Sequence, residues 1–287
     1  YVTRNLQVAT TESKSVNDKK IVLTITNKAH LPINYVQCEI SLRHRFTGEI
    51  VKQDFSTHLK RKATNIFEMK LPDYFGEYDV KIKVNVVTPE KLIEVLKDEG
   101  VTAEVSPLFD GCLSVLGQIS IDALPSYKKG YFSLQNISSY KAVTILSPKK
   151  GERIMDICAA PGGKSCAIAE MMGDMGEVLS FDVYEHKTEL IKKSADRLNI
   201  HIIRAEVHDG REEIPSLIES ADRVLLDAPC SGIGVIHKKP DIKWSREEKD
   251  IAELSKIQRE LLEVSSHYVK KSGVLLYSTC TVLKEEN

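Results

Sequence analysis

Two cysteines stand where a thiol can act on a ligand. Cys230 lies in Asp227-Ala228-Pro229-Cys230-Ser231-Gly232 and Cys280 in Ser278-Thr279-Cys280-Thr281, each directly after a short apolar run, residues 222–226 and 273–277. Short apolar runs bounded by turn formers read as strands buried on both faces. A thiol delivered at the end of such a strand is a nucleophile when its surroundings lower its pKa, and an inert core residue otherwise. A lone cysteine fits the inert reading better. Two at strand ends, one beside Asp227, favour the reactive one. The chemistry would be addition of a thiolate to an electron-poor carbon, with the aspartate stabilising the charge that builds up. The sequence offers no obvious cation beside Cys280, so its activating group stays open.

A glycine-rich turn fixes the second half of the chemistry. Cys158-Ala159-Ala160-Pro161-Gly162-Gly163-Lys164 joins an apolar strand, residues 153–157, to a helical stretch, residues 165–172. Small residues let the backbone turn sharply and approach a ligand, and the free N–H groups of a helix start favour an anion. The following strand, residues 178–181, ends in Asp182, whose carboxylate is placed to take both hydroxyls of a ribose. A nucleoside site is implied. G-x-G-x-x-G is absent, which argues against a nicotinamide dinucleotide. In an open doubly wound sheet ligands bind outside the carboxyl ends of the strands, so all four motifs are expected on one edge.

In order along the chain, DICAAPGGKS, the strand-end Asp182, Asp209 in HDG, DAPCSGIGVIHKKPDIKW and YSTCT resemble the motifs of the Sun/Fmu (Nop/Sun) family of ribosomal RNA cytosine-5 methyltransferases. The resemblance covers about residues 84–287. It implies an α/β fold with a Rossmann-like class I methyltransferase sheet, S-adenosylmethionine as cofactor and small-subunit ribosomal RNA as partner. It also implies that Cys158, Ala159, Ala160, Pro161, Gly162, Gly163 and Lys164 cradle the cofactor, that Asp182 holds its ribose, and that Asp209 lies by its adenine. Asp227 would line the site between cofactor and base. Cys280 would be the nucleophile and Cys230 the helper in product release. DNA cytosine methyltransferases place their nucleophile in a Pro-Cys turn, which Pro229-Cys230 imitates, so the choice between the thiols rests on the resemblance. Two other readings stand beside this one. A methyltransferase fold acting on a protein or small molecule would need no covalent cysteine, and a non-catalytic binding module would need no cofactor.

The elements around these motifs must position them. Residues 245–271 read as one long helix, with Ser245 and Glu248 as a capping box and Ile251, Leu254, Ile257, Leu261 and Val264 as its apolar stripe. His237, Lys238, Lys239 and Lys243 fall in the loop before it, where they are expected to contact phosphates; Trp244 is expected to pack beneath the loop, with stacking on a base as the alternative. Lys128, Lys129, Lys149 and Lys150 are the other candidates for RNA contact.

Three domains are expected. Residues 1–83 alternate apolar and polar residues over 21–27, 35–42, 48–55, 65–69 and 77–82, as in an antiparallel β-sandwich. This stretch weakly resembles the immunoglobulin-like segment of an uncharacterised, membrane-anchored bacterial family. Residues 84–130 read as a small α+β unit, which the family resemblance implies is a cap that helps to hold RNA. In it Thr88 and Pro89 start a helix that runs through Lys97 and ends at Gly100, with a strand over 101–105. Residues 131–287 form the methyltransferase domain, whose pattern in the family continues beyond Asn287, so a C-terminally truncated sheet is expected. The two sequence patterns meet near Lys83 without a linker.

Composition agrees. The 287 residues are 28% charged, with a net charge of −1. Lys and Arg outnumber Asp and Glu 14 to 9 over residues 1–83 and fall short 26 to 32 over the rest, so RNA affinity of the catalytic part must come from local patches. The six cysteines form no C-x-x-C pair, and His30, His44 and His58 lack metal-ligand spacing; neither disulfides nor a metal is expected. No apolar run approaches the roughly 20 residues that span a bilayer. The expectation is a cytoplasmic monomer with no membrane partner.

Overall fold

The computed structural model describes residues 6–15, 18–27, 33–44, 47, 49–59, 64–70, 78–109, 111–117, 120–245 and 247–287. The chain divides into two compact units, Tyr1–Ser133 and Leu134–Asn287.

In the first unit, β1 (Leu6–Ser15), β2 (Asp18–Asn27), β3 (Ile33–His44), β4 (Ile50–Leu59), β5 (Thr64–Lys70) and β6 (Tyr78–Val87) make two antiparallel three-stranded sheets. Their orders are β1-β2-β5 and β4-β3-β6. The alternation in the sequence marks five of these strands. It misses β1, whose second half, Thr11-Glu12-Ser13-Lys14-Ser15, has no apolar position, and which forms by pairing with β2 from Leu6↔Asn27 to Ser15↔Asp18. β6 passes Lys83 without interruption, pairing with β3 from Tyr78↔His44 to Val87↔Tyr35. The expected helix follows as α1 (Pro89–Asp98). Thr88 caps it, its hydroxyl accepting from Lys91 N at 3.2 Å, and Pro89 occupies the first turn. Leu92 and Leu96 bury the apolar face of α1 against Val87, Val101 and Leu124. The hairpin β7 (Thr102–Val105) and β8 (Leu113–Leu116) and the one-turn α2 (Pro125–Lys128) complete the unit.

The second unit comprises α3 (Ile137–Leu146), β9 (Arg153–Asp156), α4 (Gly163–Met172), β10 (Glu177–Asp182), α5 (Glu185–Leu198), β11 (Ile203–Val207), β12 (Ala221–Asp227), α6 (Ile242–Ser245), α7 (Glu248–His267) and β13 (Val269–Ser278). Its five strands are parallel, in the order β11-β10-β9-β12-β13. The chain moves outward from β9 to β11, then returns to lay β12 on the other side of β9. That reversal opens a crevice at the carboxyl ends of β9 and β12.

The apolar runs of the sequence become strands buried on both faces, and successive residues serve different cores. Ile154, Val178 and Leu225 pack with Val143, Leu146, Ile168, Met172, Ala195 and Leu198. Their neighbours Met155, Leu179, Val224 and Leu226 pack with Leu261 and Tyr268. Each such side chain contributes about 1.5–3 kcal/mol on burial. The sheet gives the motifs a rigid base.

Two expectations here are corrected. The long helix begins at Glu248 rather than Ser245, because Glu247 and Asp250 form the capping box, with Glu247 N donating to Asp250 Oδ2 at 2.9 Å. It ends at His267 rather than Lys271, because Val269 pairs with Ala221 at the start of β13. Trp244 does not pack beneath its loop: it is 84% exposed, on α6. The strand β11 is an addition to the four expected in the sheet. Among the described residues no helix is long and apolar enough to cross a membrane, and no group of three or more His, Cys, Asp or Glu could hold a metal ion.

Candidate active site

The sheet brings the two thiols together from positions 50 residues apart, with their sulfurs 2.9 Å from each other. Cys280 is exposed and Cys230 is half-buried beneath it. The turn between them is held by backbone bonds: Cys280 N donates to Cys230 Sγ at 3.2 Å, and Gly234 N donates to Cys280 O at 3.0 Å. Gly234 must lack a side chain, since a Cβ there would lie 2.8 Å from Cys280 O. The two sulfurs titrate as a pair. Hydrogen bonding from Cys230 pulls the Cys280 thiol down to about 7, with Lys164 helping, against burial and the charge of Asp227. Cys230 moves the other way, first because its proton is held in the hydrogen bond to Cys280 and second because it is buried. Cys158 and Cys166 are both pushed up to about 12 by burial and are inert at neutral pH.

Asp227, at the end of β12, is bound on both oxygens. Ser278 Oγ donates to Oδ1 at 2.6 Å, and Lys164 Nζ contacts Oδ2 in an ion pair. Lys164 thus comes from the glycine-rich turn, 63 positions earlier, to stand by both Asp227 and Cys280. This is the cation that sequence proximity to Cys280 could not reveal.

The glycine-rich turn closes over the ends of β9 and β10. Ala159 N donates to Phe181 O at 2.8 Å, Ala160-Pro161 is a cis peptide, and Cys166 N donates to Gly162 O at 2.8 Å as α4 begins. Gly162 has φ +100°, a conformation that strains a side chain, and a Cβ there would lie in tight contact 3.0 Å from Ile191 Cα. Asp182, 7% exposed, receives Tyr184 N at 3.4 Å and has Lys187 Nζ 3.6 Å away. Beneath the turn Asp156 is fully buried; Ser165 Oγ donates to Oδ2 at 2.7 Å, while Oδ1 has no hydrogen-bond partner among the described residues. Burial pushes this carboxyl up to about 7, against the Ser165 hydrogen bond and the Lys164 charge. A buried acceptor without a donor, beneath a turn built for close approach, suits a ligand carrying an ammonium group. Asp209 follows β11, and its carboxylate is held below the usual range, against burial, by Arg211, which binds it through Nη2 at 2.6 Å and through Nε.

The lysines are less concentrated than the motifs. Lys238 Nζ donates to Asn136 Oδ1 at 2.6 Å, Lys239 is exposed, and Lys243 lies over the Trp244 ring at 5.4 Å. Lys149 and Lys150 precede β9, at the end of the sheet opposite the motifs. Lys128 and Lys129 are exposed in the other unit.

One residue of the site had no signal in the sequence. Glu286, in Lys284-Glu285-Glu286-Asn287, which carries no catalytic motif, is only 2% exposed. Its Oε1 accepts from Ser231 N at 2.8 Å and Gln258 Nε2 at 3.0 Å, and its Oε2 from Ser231 Oγ at 2.5 Å.

A parallel sheet with a glycine-rich turn after its central strand, an aspartate ending the next and paired thiols at the far ends defines a Rossmann-like methyltransferase. The fold agrees with solved structures: the NSun6 of Pyrococcus horikoshii with SFG (25% identity, TM-score 0.62, 70% of this chain and 74% of that one), and a methyltransferase homologue protein of the same organism (32% identity, TM-score 0.58, 69% of this chain and 62% of that one). The family model of the 16S rRNA methyltransferase RsmB/F matches residues 143–287, and the chain belongs to that family. Its curated relatives include the ribosomal RNA small subunit methyltransferase B of Photorhabdus laumondii, 39% identical over 69% of this chain, and the probable enzyme of that name from Bacillus subtilis, 41% identical over 72%. The chain spans about half, 46%, of the length of each.

Proposed function

We propose that the protein transfers a methyl group from S-adenosylmethionine to carbon 5 of a cytosine in small-subunit ribosomal RNA, through a transient bond between Cys280 and the base. The observation that carries this reading is the thiol pair: oxygen, nitrogen and sulfur acceptors need no covalent adduct, and a cytosine carbon does.

When bound, S-adenosylmethionine supplies an electrophilic methyl group. The residues of the cradle fit it. Residues 158–164 offer backbone close to the ligand, Asp182 a carboxylate for its ribose, Asp209 a place by its adenine, and Asp156 Oδ1 an acceptor for its ammonium group. NSun6 of Pyrococcus horikoshii is solved with SFG, an analogue of this cofactor, which supports the assignment.

The chain's own residues do the rest. Cys280 thiolate adds to carbon 6, giving carbon 5 the electron density to take the methyl group. If it shares a proton with the ring's N3, Asp227 stabilises the charge that addition creates there, with the Lys164 cation beside it. A base then removes the proton from carbon 5, the bond between Cys280 Sγ and carbon 6 breaks, and the thiolate re-forms beside the Cys230 proton. Cys230 assists this release. Lys238, Lys239 and Lys243 contact the RNA backbone, with Lys128 and Lys129 in the cap. The domain division follows the same reading: an immunoglobulin-like sandwich over 1–83, an RNA-holding cap over 84–130 and the methyltransferase domain over 131–287.

The test is transfer of a labelled methyl group to RNA, followed by digestion to nucleosides. Label in 5-methylcytidine supports the proposal; label in any other nucleoside, or in protein, refutes it.

A further inference from the structure

Glu286 is a buried carboxylate with three donors on it, and what it joins is the pair of turns that carry the sulfurs. Ser231, the residue after Cys230, gives it both its N–H and its hydroxyl. Ser231 Oγ also meets Thr281 Oγ1, on the residue after Cys280, at 3.0 Å. Gln258, from the middle of α7, bridges Glu286 Oε1 and Pro229 O, the latter at 2.8 Å. The short helical turn that presents Glu286 is fixed in its turn: Tyr277 OH donates to Glu286 O at 2.8 Å, and Ser255 Oγ to Glu285 O at 2.5 Å. The residue after Cys230 is therefore tied through one carboxylate to a helix and to the segment that follows Cys280, and through its own hydroxyl to the residue after Cys280.

We propose that Glu286 is a positioning residue for the thiol pair: it fixes the turn of Cys230 against the turn of Cys280 and so sets the distance between the sulfurs on which the Cys280 thiolate depends. This rests on the reading of Cys280 as the nucleophile. The dependence on distance is steep, because a thiol donates usefully to a thiolate only in contact with it. Burial alone would raise the Glu286 carboxyl, yet the bonds from Ser231 hold it below its ordinary value, so it stays an acceptor for both Ser231 donors at neutral pH. The charged and titratable groups that act on Cys280 are Cys230, Asp227 and Lys164, and Glu286 governs the first of these.

The test reads the thiol directly, in the intact chain and without RNA. Alkylation by iodoacetamide is followed against pH and mapped by mass spectrometry to the peptide containing Cys280. Glu286→Ala is expected to move the midpoint up by about one unit, a tenfold loss of thiolate at acidic pH. Glu286→Gln keeps a carbonyl oxygen for Ser231 N and should restore part of the shift. Ser231→Ala, which removes only the bridging hydroxyl, should show a smaller shift in the same direction and decides the matter if the Glu286 variants do not fold. In methyl transfer at pH 7 Glu286→Ala should lose kcat about fivefold and the other two variants less, with KM for RNA and cofactor within about twofold. Folded variants with lowered melting temperature but an unmoved midpoint would show a purely structural carboxylate and overturn the proposal. A moved midpoint in a chain that does not methylate RNA would uphold the positioning role and refute the catalytic reading instead.

Discussion

The sulfur of Cys230 lies 2.9 Å from that of Cys280, close enough for one proton to serve both. Since the thiolate is the reactive form and the Cys280 thiol is pulled down to about 7, methyl transfer should rise about tenfold per pH unit below that value and level off above it. Replacing Cys230 by alanine removes the donor, so the midpoint for reaction of Cys280 should climb toward the ordinary thiol value of 9.0. Single-turnover rates of adduct formation between pH 5 and 9 check both statements; a profile that is flat, or that falls with pH, contradicts them.

Lys164 and Asp227 are expected to act as a unit. Lys164→Met removes the cation near Cys280 and leaves a carboxylate unpaired beside the reacting base. The loss should be on the order of 100-fold in kcat, the scale of a misplaced transition-state charge. Asp227→Asn should cost a similar factor, and the double variant little more than either alone, which steady-state kinetics of the three would show.

At Gly162 the backbone conformation strains a side chain and the space beside Ile191 is tight. Gly162→Ala should therefore weaken binding of S-adenosylhomocysteine by about tenfold, equivalent to about 1.4 kcal/mol, in a titration calorimeter. Circular dichroism should show the same secondary structure as the parent.

Stability has its own marker at the other end of the sheet. Arg223 binds Glu152 through Nε at 2.8 Å and Nη2 at 3.1 Å, and donates through Nη1 to Leu146 O at 2.7 Å. Both side chains are largely buried, at 11% and 18% exposure. Glu152→Ala strands the guanidinium and should lower stability by about 2 kcal/mol in urea denaturation, below the full cost of a deeply buried pair because some solvent reaches it.

The parts of this molecule that were legible in the sequence are those governed by local pattern. Runs such as Arg223-Val224-Leu225-Leu226 announce a strand buried on both faces, and Thr88-Pro89 announces a helix start, because each signal lies within a few residues. The glycine-rich turn between β9 and α4 and the ends of β10 and β12 were legible for the same reason. What escaped depends on partners far away in the chain. β1 forms only because β2 supplies its hydrogen bonds. Ser245 looked like a helix cap, but Glu247 and Asp250 satisfy each other two residues on. Trp244, which pattern placed under a loop, stands in solvent. Lys164 and Glu286 gain their place only after the sheet has brought together residues 63 and 55 positions away.

The most direct measurement is the identity of the residue that bonds to the base. In Cys230→Ala, incubated with cofactor and substrate RNA, a denaturant-resistant protein–RNA adduct should accumulate, and digestion followed by mass spectrometry should place the nucleotide on the peptide containing Cys280; Cys280→Ala should form no adduct and transfer no methyl group. An adduct on Cys230 in the Cys280→Ala variant, or methyl transfer that survives loss of Cys280, would contradict the account.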